Sequence, residues 1–208
     1  MENLVVVNHP LVQSKLAILR SRETSPQAFR DLISEITMIL LSEATKDLTT
    51  RRIEVDTPLK TAKCLILNRK IAIVPILRAG LGMLEGALKL IPQATVGYIG
   101  IYRKEADLIP VIYYKNLPQD LKNTEVIIVD PMIATGGSAV EAIKYMFEAG
   151  ADKVKFVCII AAPEGIERIN QQKKNVKIYT AALDEGLNDK GYIVPGLGDA
   201  GDRLFGTE

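Results

Sequence analysis

Residues 125–138, EVIIVDPMIATGGS, have the residue types and order of a phosphate-binding loop. The β-branched run at 126–129 predicts a strand that is buried on both faces. Asp130 and Pro131 end this strand, and the small residues 135–138 lead into a helix. Glycines let backbone N–H groups approach an anion, and the positive end of the helix lies in the same loop. The segment predicts phosphate binding, although a Gly-Gly turn between strand and helix is also common without it.

A second segment whose residues could bind a ligand is residues 72–85, AIVPILRAGLGMLE. Its buried strand is predicted to end at Pro75, and Arg78 follows in a loop that contains Gly80 and Gly82. An arginine at a strand's carboxyl end can offer two parallel N–H donors to phosphate oxygens. Alone, Arg78 would more often be a solvated or capping residue. Because the Arg78 loop and the Asp130 loop are predicted to leave the same sheet, an anion-binding role for Arg78 is favoured.

Two further segments stand out downstream. Residues 102–117 begin with Arg103 and then alternate in polarity, which predicts a β-hairpin that extends from the sheet as a solvated arm or a dimer arm. Residues 192–206 combine several glycines with interleaved apolar side chains. We expect neither helix nor strand there, but the apolar residues argue against a disordered tail. Glycine backbone between apolar walls could enclose a flat base.

The rest of the chain predicts one α/β domain. Helical periodicity or capping signals and short apolar runs alternate without a low-complexity linker, which indicates a mostly parallel sheet with helices on both faces. Predicted helices cover residues 11–19, 26–40, 81–91, 138–150 and 163–170, and predicted strands cover 71–74, 96–102, 126–129, 154–160 and 176–180. Ligands of such folds bind beyond the carboxyl ends of the strands, where both loops lie.

Composition excludes several classes of protein. The 208 residues are 48% hydrophobic and 25% charged, with a net charge of +1, so no overall field would recruit nucleic acid or an anionic membrane. Cys64 and Cys158 lie far apart in apolar surroundings, which favours buried free thiols over a disulfide or a metal pair. We expect a cytoplasmic protein, because neither a signal-peptide pattern nor a membrane-length apolar run is present.

The motifs PILRAG, DPMIATGGS and the stretch YIVPGLGDAGDRLFG, with Arg103 between the first two, occur in order over essentially the whole chain. Together they resemble the uracil-specific members of the type I phosphoribosyltransferase family. The resemblance implies transfer of a phosphoribosyl group from 5-phosphoribosyl diphosphate (PRPP) to uracil, with UMP and diphosphate as products. It implies Mg²⁺ as cofactor, bound mainly through PRPP.

The resemblance also assigns site residues by position. Arg103 and Asp199 would be catalytic, and no residue is assigned as a metal ligand because Pro131 replaces the second acid of the broader superfamily. Uracil would contact Ile193, Gly198, Asp199 and Ala200. PRPP would contact Arg78, Arg103, Asp130, Pro131, Met132, Ile133, Ala134, Thr135, Gly136, Gly137, Ser138 and Asp199.

For partners, the apolar content and the projecting 102–117 hairpin predict a homodimer or larger homo-oligomer, and the resemblance implies GTP as a candidate effector. Two alternatives stay open. An RNA-binding attenuator of pyrimidine operons has the same fold, but it should carry a basic surface that this nearly neutral chain lacks. A catalytically silent homologue should have lost some of Arg78, Arg103, Asp130 and Asp199, and all four are present.

The resemblance further implies that the 102–117 hairpin is a mobile lid that brings Arg103 over the diphosphate after substrate binds. Arg103→Ala tests this role. A lid residue contributes mainly after the site has closed, so we expect kcat to fall by about a hundredfold while the KM for PRPP changes little. Steady-state kinetics with varied PRPP measures both constants. A raised KM at unchanged kcat would show that Arg103 only anchors the substrate.

Overall fold

The computed structural model describes residues 3–103 and 110–207, with only the backbone of Arg103. Six helices and thirteen strands occur in this part of the chain. The helices are α1 (Pro10–Arg20), α2 (Pro26–Ala44), α3 (Leu81–Leu90), α4 (Gly137–Glu148), α5 (Pro163–Asn170) and α6 (Ala200–Phe205). The strands are β1 (Leu4–Val6), β2 (Thr50–Asp56), β3 (Thr61–Leu67), β4 (Lys70–Leu77), β5 (Thr95–Val96), β6 (Tyr98–Arg103), β7 (Pro110–Asn116), β8 (Thr124–Val129), β9 (Met132–Ile133), β10 (Lys153–Ala161), β11 (Val176–Leu183), β12 (Gly186–Leu187) and β13 (Ile193–Val194).

The central sheet has the strand order β1-β11-β10-β8-β4-β6-β7, with β5 and β9 as short additions. Every described pair in it is parallel except β6 with β7. The predicted α/β class with a mostly parallel sheet is therefore confirmed. Because the strands are parallel, their carboxyl ends share one edge of the sheet.

Alternating side chains of the central strands enter two separate cores. In β8, Ile127 and Val129 belong to one hydrophobic cluster, whereas Val126 and Ile128 belong to the other. The first cluster includes α1, α2, α3 and α6, and the second includes α4 and α5. Burial on both faces explains why these strands are continuous apolar runs.

Five of the six described helices begin within one residue of the predicted start, and α6 was not predicted. The His9 Nδ1 atom accepts a hydrogen bond from the Leu11 N–H and caps α1, and Ser25 Oγ accepts one from the Ala28 N–H at the start of α2. Each of these helices has proline in its first turn, where a missing N–H costs nothing. No helix in the described ranges has both the length and the apolar character needed to cross a bilayer.

Three features differ from or extend the sequence prediction. β4 runs to Leu77, two residues beyond the predicted end at Pro75. The antiparallel strands β6 and β7 continue the sheet edge, as expected for the two arms of the hairpin predicted at 102–117, and residues 104–109 between them lie outside the described residues. A second hairpin, β2 with β3, was not predicted, and within the described ranges these strands pair only with each other.

A buried lysine stabilises the opposite, amino-terminal edge of the sheet. Lys155 Nζ donates to the Ala44 carbonyl at 2.7 Å and to Asp47, which also accepts from exposed Lys177 at 3.1 Å. Burial alone would raise the pKa of Asp47, but hydrogen bonds from the two lysines outweigh it and hold the pKa below its usual 3.8. The pair is an ion pair at neutral pH.

Asp47→Ala should lower the free energy of unfolding by about 2 kcal/mol, because Lys155 stays buried with one partner fewer. Lys177→Ala, which removes the exposed partner of the same carboxylate, should change it by less than about 1 kcal/mol. Urea denaturation measures both. The difference between wild type and Asp47→Ala should disappear as the pH falls through the lowered pKa of Asp47, because only the ionised carboxylate favours the folded state. Equal effects of the two substitutions would contradict this account.

Candidate active site

The two predicted anion loops leave neighbouring strands of the sheet. β4 and β8 pair in parallel with Pro75 opposite Val129, so the Arg78 and Asp130 loops begin side by side. Gly80 closes the first loop against the second strand: a Cβ atom there would lie 2.6 Å from the Val129 carbonyl oxygen and equally close to the backbone of Ile76. Only glycine allows this approach.

The segment after β8 is held in place before it reaches its glycines. The Asp130 N–H donates to the Val157 carbonyl at 3.2 Å, and β9 then pairs with the end of β10. Gly136 adopts a left-handed conformation with φ of 75°, and a Cβ atom on it would lie 2.7 Å from the Gly165 carbonyl oxygen. Gly165 in turn packs against Ala134, where its own Cβ would lie 2.3 Å from the carbonyl oxygen. Residues 130–138 thus form a fixed loop seated on α5.

The loop ends at the amino terminus of the twelve-residue helix α4. Gly136 occupies the N-cap position and has no side chain with which to accept hydrogen bonds from the first turn. The N–H groups at the start of a helix lack intrahelical partners, and the helix dipole places partial positive charge there. This geometry is suited to an anion, as predicted for Gly136, Gly137 and Ser138.

Arg78 reaches toward the carboxyl-terminal segment of the chain. Its Nη2 atom lies 3.4 Å from Asp202 Oδ1, and more than half of its side chain is exposed. Gly201 lies between this guanidinium and Asp199, since a Cβ there would be 3.6 Å from Arg78 Nη2 and 3.2 Å from Asp199 Oδ1. Because the ion pair with Asp202 is long and exposed, Arg78 can exchange it for a phosphate ligand.

Residues 192–206, which we call the hood, are more regular than predicted. Ile193 begins strand β13, which pairs with β12, and residues 200–205 form α6, so the expectation of neither helix nor strand is wrong. Asp199 caps α6 by accepting the Asp202 N–H at 3.0 Å. The helix α6 and the β12-β13 pair give hydrogen-bond partners to backbone N–H and C=O groups that an irregular segment would leave unpaired.

A cavity of about 310 Å³ separates the hood from the phosphate loop. Its walls combine predicted PRPP residues with residues of the predicted uracil-binding segment and two residues, Lys190 and Gly191, that the sequence did not indicate. The lining residues are Met132, Ala134, Lys190, Gly191, Tyr192, Ile193 and Asp199. Ala200 is buried at the start of α6, and Gly198 adjoins Asp199 with φ of 79°. One cavity is therefore lined by residues of both the predicted PRPP site and the predicted uracil site.

The side chain of Arg103 lies outside the described part of the structure, although its backbone ends β6 near the same sheet edge. Within the described ranges, no three His, Cys, Asp or Glu side chains gather in a way that could hold a metal ion. Mg²⁺ prefers oxygen donors, so a Mg²⁺ ion carried mainly on substrate phosphates would be compatible with the nearby carboxylates of Asp130 and Asp199.

Cys158 lies within β10, the strand that pairs with β8 next to the Asp130 loop. It is fully buried, and desolvation raises the pKa of its thiol to about 12 despite a hydrogen bond with Thr180. A thiol with this pKa stays protonated at neutral pH and is a poor nucleophile. Covalent catalysis through Cys158 is therefore not supported.

A protein-family model for uracil phosphoribosyltransferase matches residues 6–207. The uracil phosphoribosyltransferase of Dictyoglomus turgidum is 57% identical over 206 residues, which cover 99% of this chain and all of that protein. The chain belongs to the uracil phosphoribosyltransferase family. The match extends over both loops and the hood, and it does not favour the RNA-binding alternative.

Solved structures agree with this family assignment. The AQ2163 protein of Aquifex aeolicus superimposes with a TM-score of 0.93 at 46% identity, and the match covers 97% of each chain. An adenine phosphoribosyltransferase from Trypanosoma brucei has a TM-score of 0.59 at 15% identity and covers 96% of this chain and 89% of its own. The second likeness concerns the fold alone.

Gly136→Ala should disable the phosphate loop. The substitution combines the strain of a left-handed alanine, about 1–2 kcal/mol, with a clash against Gly165, so we expect the KM for PRPP to rise about tenfold or more. Gly150→Ala is the matched control, because Gly150 has φ of 96° and a Cβ atom on it would meet no other atom within 4 Å. It should lower stability and leave the KM unchanged. Equal KM values for both variants would contradict the role of the loop.

Proposed function

We propose that the chain transfers the 5-phosphoribosyl group of PRPP to uracil. The C1′–O bond to diphosphate breaks, a bond forms between C1′ and N1 of uracil, and N1 loses its proton. The single observation that carries this proposal is the cavity that Met132 and Ala134 share with Ile193 and Asp199. This cavity between the Asp130 loop and the hood, in a chain of this family, supports the proposal.

PRPP would lie along the carboxyl edge of the sheet. We assign its 5′-phosphate to the backbone N–H groups of residues 133–138 and its ribose hydroxyls to Asp130. The guanidinium of Arg78, which is more than half exposed, would leave Asp202 to bind the diphosphate. The Gly80 contact with Val129 supports this arrangement, because it keeps the two loops close enough for one substrate.

Catalysis would consist of positioning and charge stabilisation. Positive charge develops on the sugar and negative charge on the leaving diphosphate, so donors aimed at the diphosphate lower the barrier. Arg78 and Arg103 would supply them, and closure of the hairpin over the site would exclude water from the reactive sugar. Mg²⁺, when bound through PRPP, would neutralise part of the diphosphate charge. Asp199 would lie between the base and the ribose.

Uracil would be recognised mainly by backbone groups of the hood. A peptide N–H or carbonyl cannot exchange its donor or acceptor identity by rotation, unlike a side-chain amide. Cytosine presents an amino group where uracil presents the O4 carbonyl, and it also differs at N3. Each buried mismatch costs about 1–3 kcal/mol, so two could discriminate by roughly 10⁴-fold.

An assay with PRPP, Mg²⁺ and one free base at a time tests this function. We expect UMP and diphosphate from uracil, little turnover of cytosine, and none of purines, because apolar walls such as Ile193 would have to move to admit a larger base. Gly198→Val should raise the KM for uracil and leave PRPP binding intact, whereas Gly150→Val imposes the same left-handed strain away from the hood. Comparable turnover of cytosine, or wild-type uracil kinetics in Gly198→Val, would show that the base is read elsewhere.

We also propose that the protein is at least a dimer. The isolated β2-β3 hairpin exposes apolar side chains, with Leu59 95% and Leu65 64% accessible, and a two-stranded ribbon alone is marginally stable. A second copy of the chain would cover it. Light scattering at micromolar concentration should give at least twice the chain mass, and Leu65→Glu should reduce it. A monomeric wild type would contradict the proposal.

GTP as an effector remains a separate proposal. Initial rates at subsaturating PRPP, measured with and without GTP, decide it. A rate increase with GTP supports the proposal, and unchanged rates contradict it.

A further inference from the structure

Arg20 and Asp184 form an ion pair that also binds the backbone of the hood. Arg20 Nη2 and Nη1 donate to the two carboxylate oxygens of Asp184 at 2.5 and 2.8 Å. The same two side chains hold both backbone groups of Gly196: its carbonyl accepts from Arg20 Nη1 at 2.7 Å, and its N–H donates to Asp184 Oδ2 at 3.0 Å. Two hydrogen bonds thus fix Gly196 of the hood, and two more hold Arg20 and Asp184 together.

The pair is buried and joins three distant parts of the chain. The Asp184 side chain is only 4% exposed and that of Arg20 is 23% exposed. Arg20 is the last residue of α1, and Asp184 directly follows β11 at the carboxyl edge of the sheet. Bidentate arginine–carboxylate contacts define both distance and angle, which a single lysine contact does not.

Gly196 occupies a tight position in the hood. Its φ is 65°, and a Cβ atom on it would lie 2.1 Å from the Ile193 carbonyl oxygen. It stands between Ile193 and Gly198, two of the residues proposed to contact uracil. Any shift of Gly196 therefore moves the backbone on both sides of the proposed base site.

A second arginine continues the same pattern. Arg203 Nη1 donates to the carbonyl oxygen of Leu197 and to that of Leu19, each at 2.8 Å. Because a trans peptide is planar, holding the carbonyls of Gly196 and Leu197 also fixes the opposed N–H groups of the next residues, Leu197 and Gly198. Consecutive peptides of the hood are thus oriented by side chains that lie outside the cavity lining.

We infer that Arg20 and Asp184 are positioning residues for the base: they set the peptide orientation with which the hood recognises uracil. This inference rests on the proposed function. A pair that only stabilised the fold would affect both substrates alike. A pair that orients the hood should affect uracil selectively, because the phosphate loop is fixed separately by its contacts with α5.

Arg20→Lys and Asp184→Asn test the inference by steady-state kinetics in both substrates. Each should raise the KM for uracil by about tenfold or more, because a small misplacement of binding groups is costly, while the dissociation constant of PRPP stays within about twofold. The preference for uracil over cytosine should fall in both variants. Thermal melting accompanies each assay, and Asp184→Asn, which preserves side-chain size, provides the test if Arg20→Lys does not fold.

Arg69 and Asp152 offer a matched control. They form another bidentate pair, at 2.8 and 2.9 Å, near the opposite edge of the sheet. Arg69→Lys and Asp152→Asn should leave both substrate constants and the base preference unchanged. Unchanged uracil constants in the folded Arg20 and Asp184 variants, or equal weakening of both substrates, would overturn the inference. Failure of the wild type and the Arg69 control to use uracil would instead overturn the proposed function.

Discussion

The architecture of the site depends on the close approach of two loops at the carboxyl ends of β4 and β8. Parallel pairing of these strands places Pro75 opposite Val129, and the absence of a side chain at Gly80 lets the first loop lie directly against the second strand. Parallel strands buried on both faces need helices on each side, and the two hydrophobic clusters provide them. The apolar core thus holds the Arg78 loop and the Asp130 loop at a fixed separation.

The hood adds a second wall beside the loops at the sheet edge. A sheet edge presents loops that can bind phosphate, but recognition of a planar base needs a second wall. Residues 192–206 form a second wall of the cavity beside the Asp130 loop. Arg20 of α1 binds the hood backbone at Gly196, and Arg203 of the hood binds the carbonyl of Leu19 in α1. The proposed division of labour follows from this anatomy: strand-end loops bind the phosphates of PRPP, and the clamped hood selects the base.

Much of this could be predicted from the sequence, for identifiable reasons. The buried strands are short β-branched runs, and the helices carry local signals such as Ser25 followed by Pro26. The loop at Asp130 combines strand, turn and helix signals within a few residues. Each of these features is local, so a linear pattern is sufficient to reveal it.

The features that escaped prediction depend on contacts that the linear order hides. Arg20 and Asp184 are 164 residues apart, and neither belongs to a motif. Lys190 reaches the cavity wall only because the turn before β13 folds over the phosphate loop. In the β2-β3 hairpin, β2 alternates in polarity, but β3 ends in the consecutive apolar residues Leu65, Ile66 and Leu67, which breaks the alternation expected of a half-buried strand.

A crystal structure of the complex with UMP and diphosphate tests the central claim most directly. The account predicts the 5′-phosphate of UMP within about 3 Å of backbone nitrogens in residues 133–138, with the base against the hood. The competing position is a cavity of about 430 Å³ at the opposite sheet edge, lined by Lys153, Lys155, Lys173, Lys174 and Lys177 among others. A nucleotide phosphate bound there, with the Asp130 loop empty, would contradict the account.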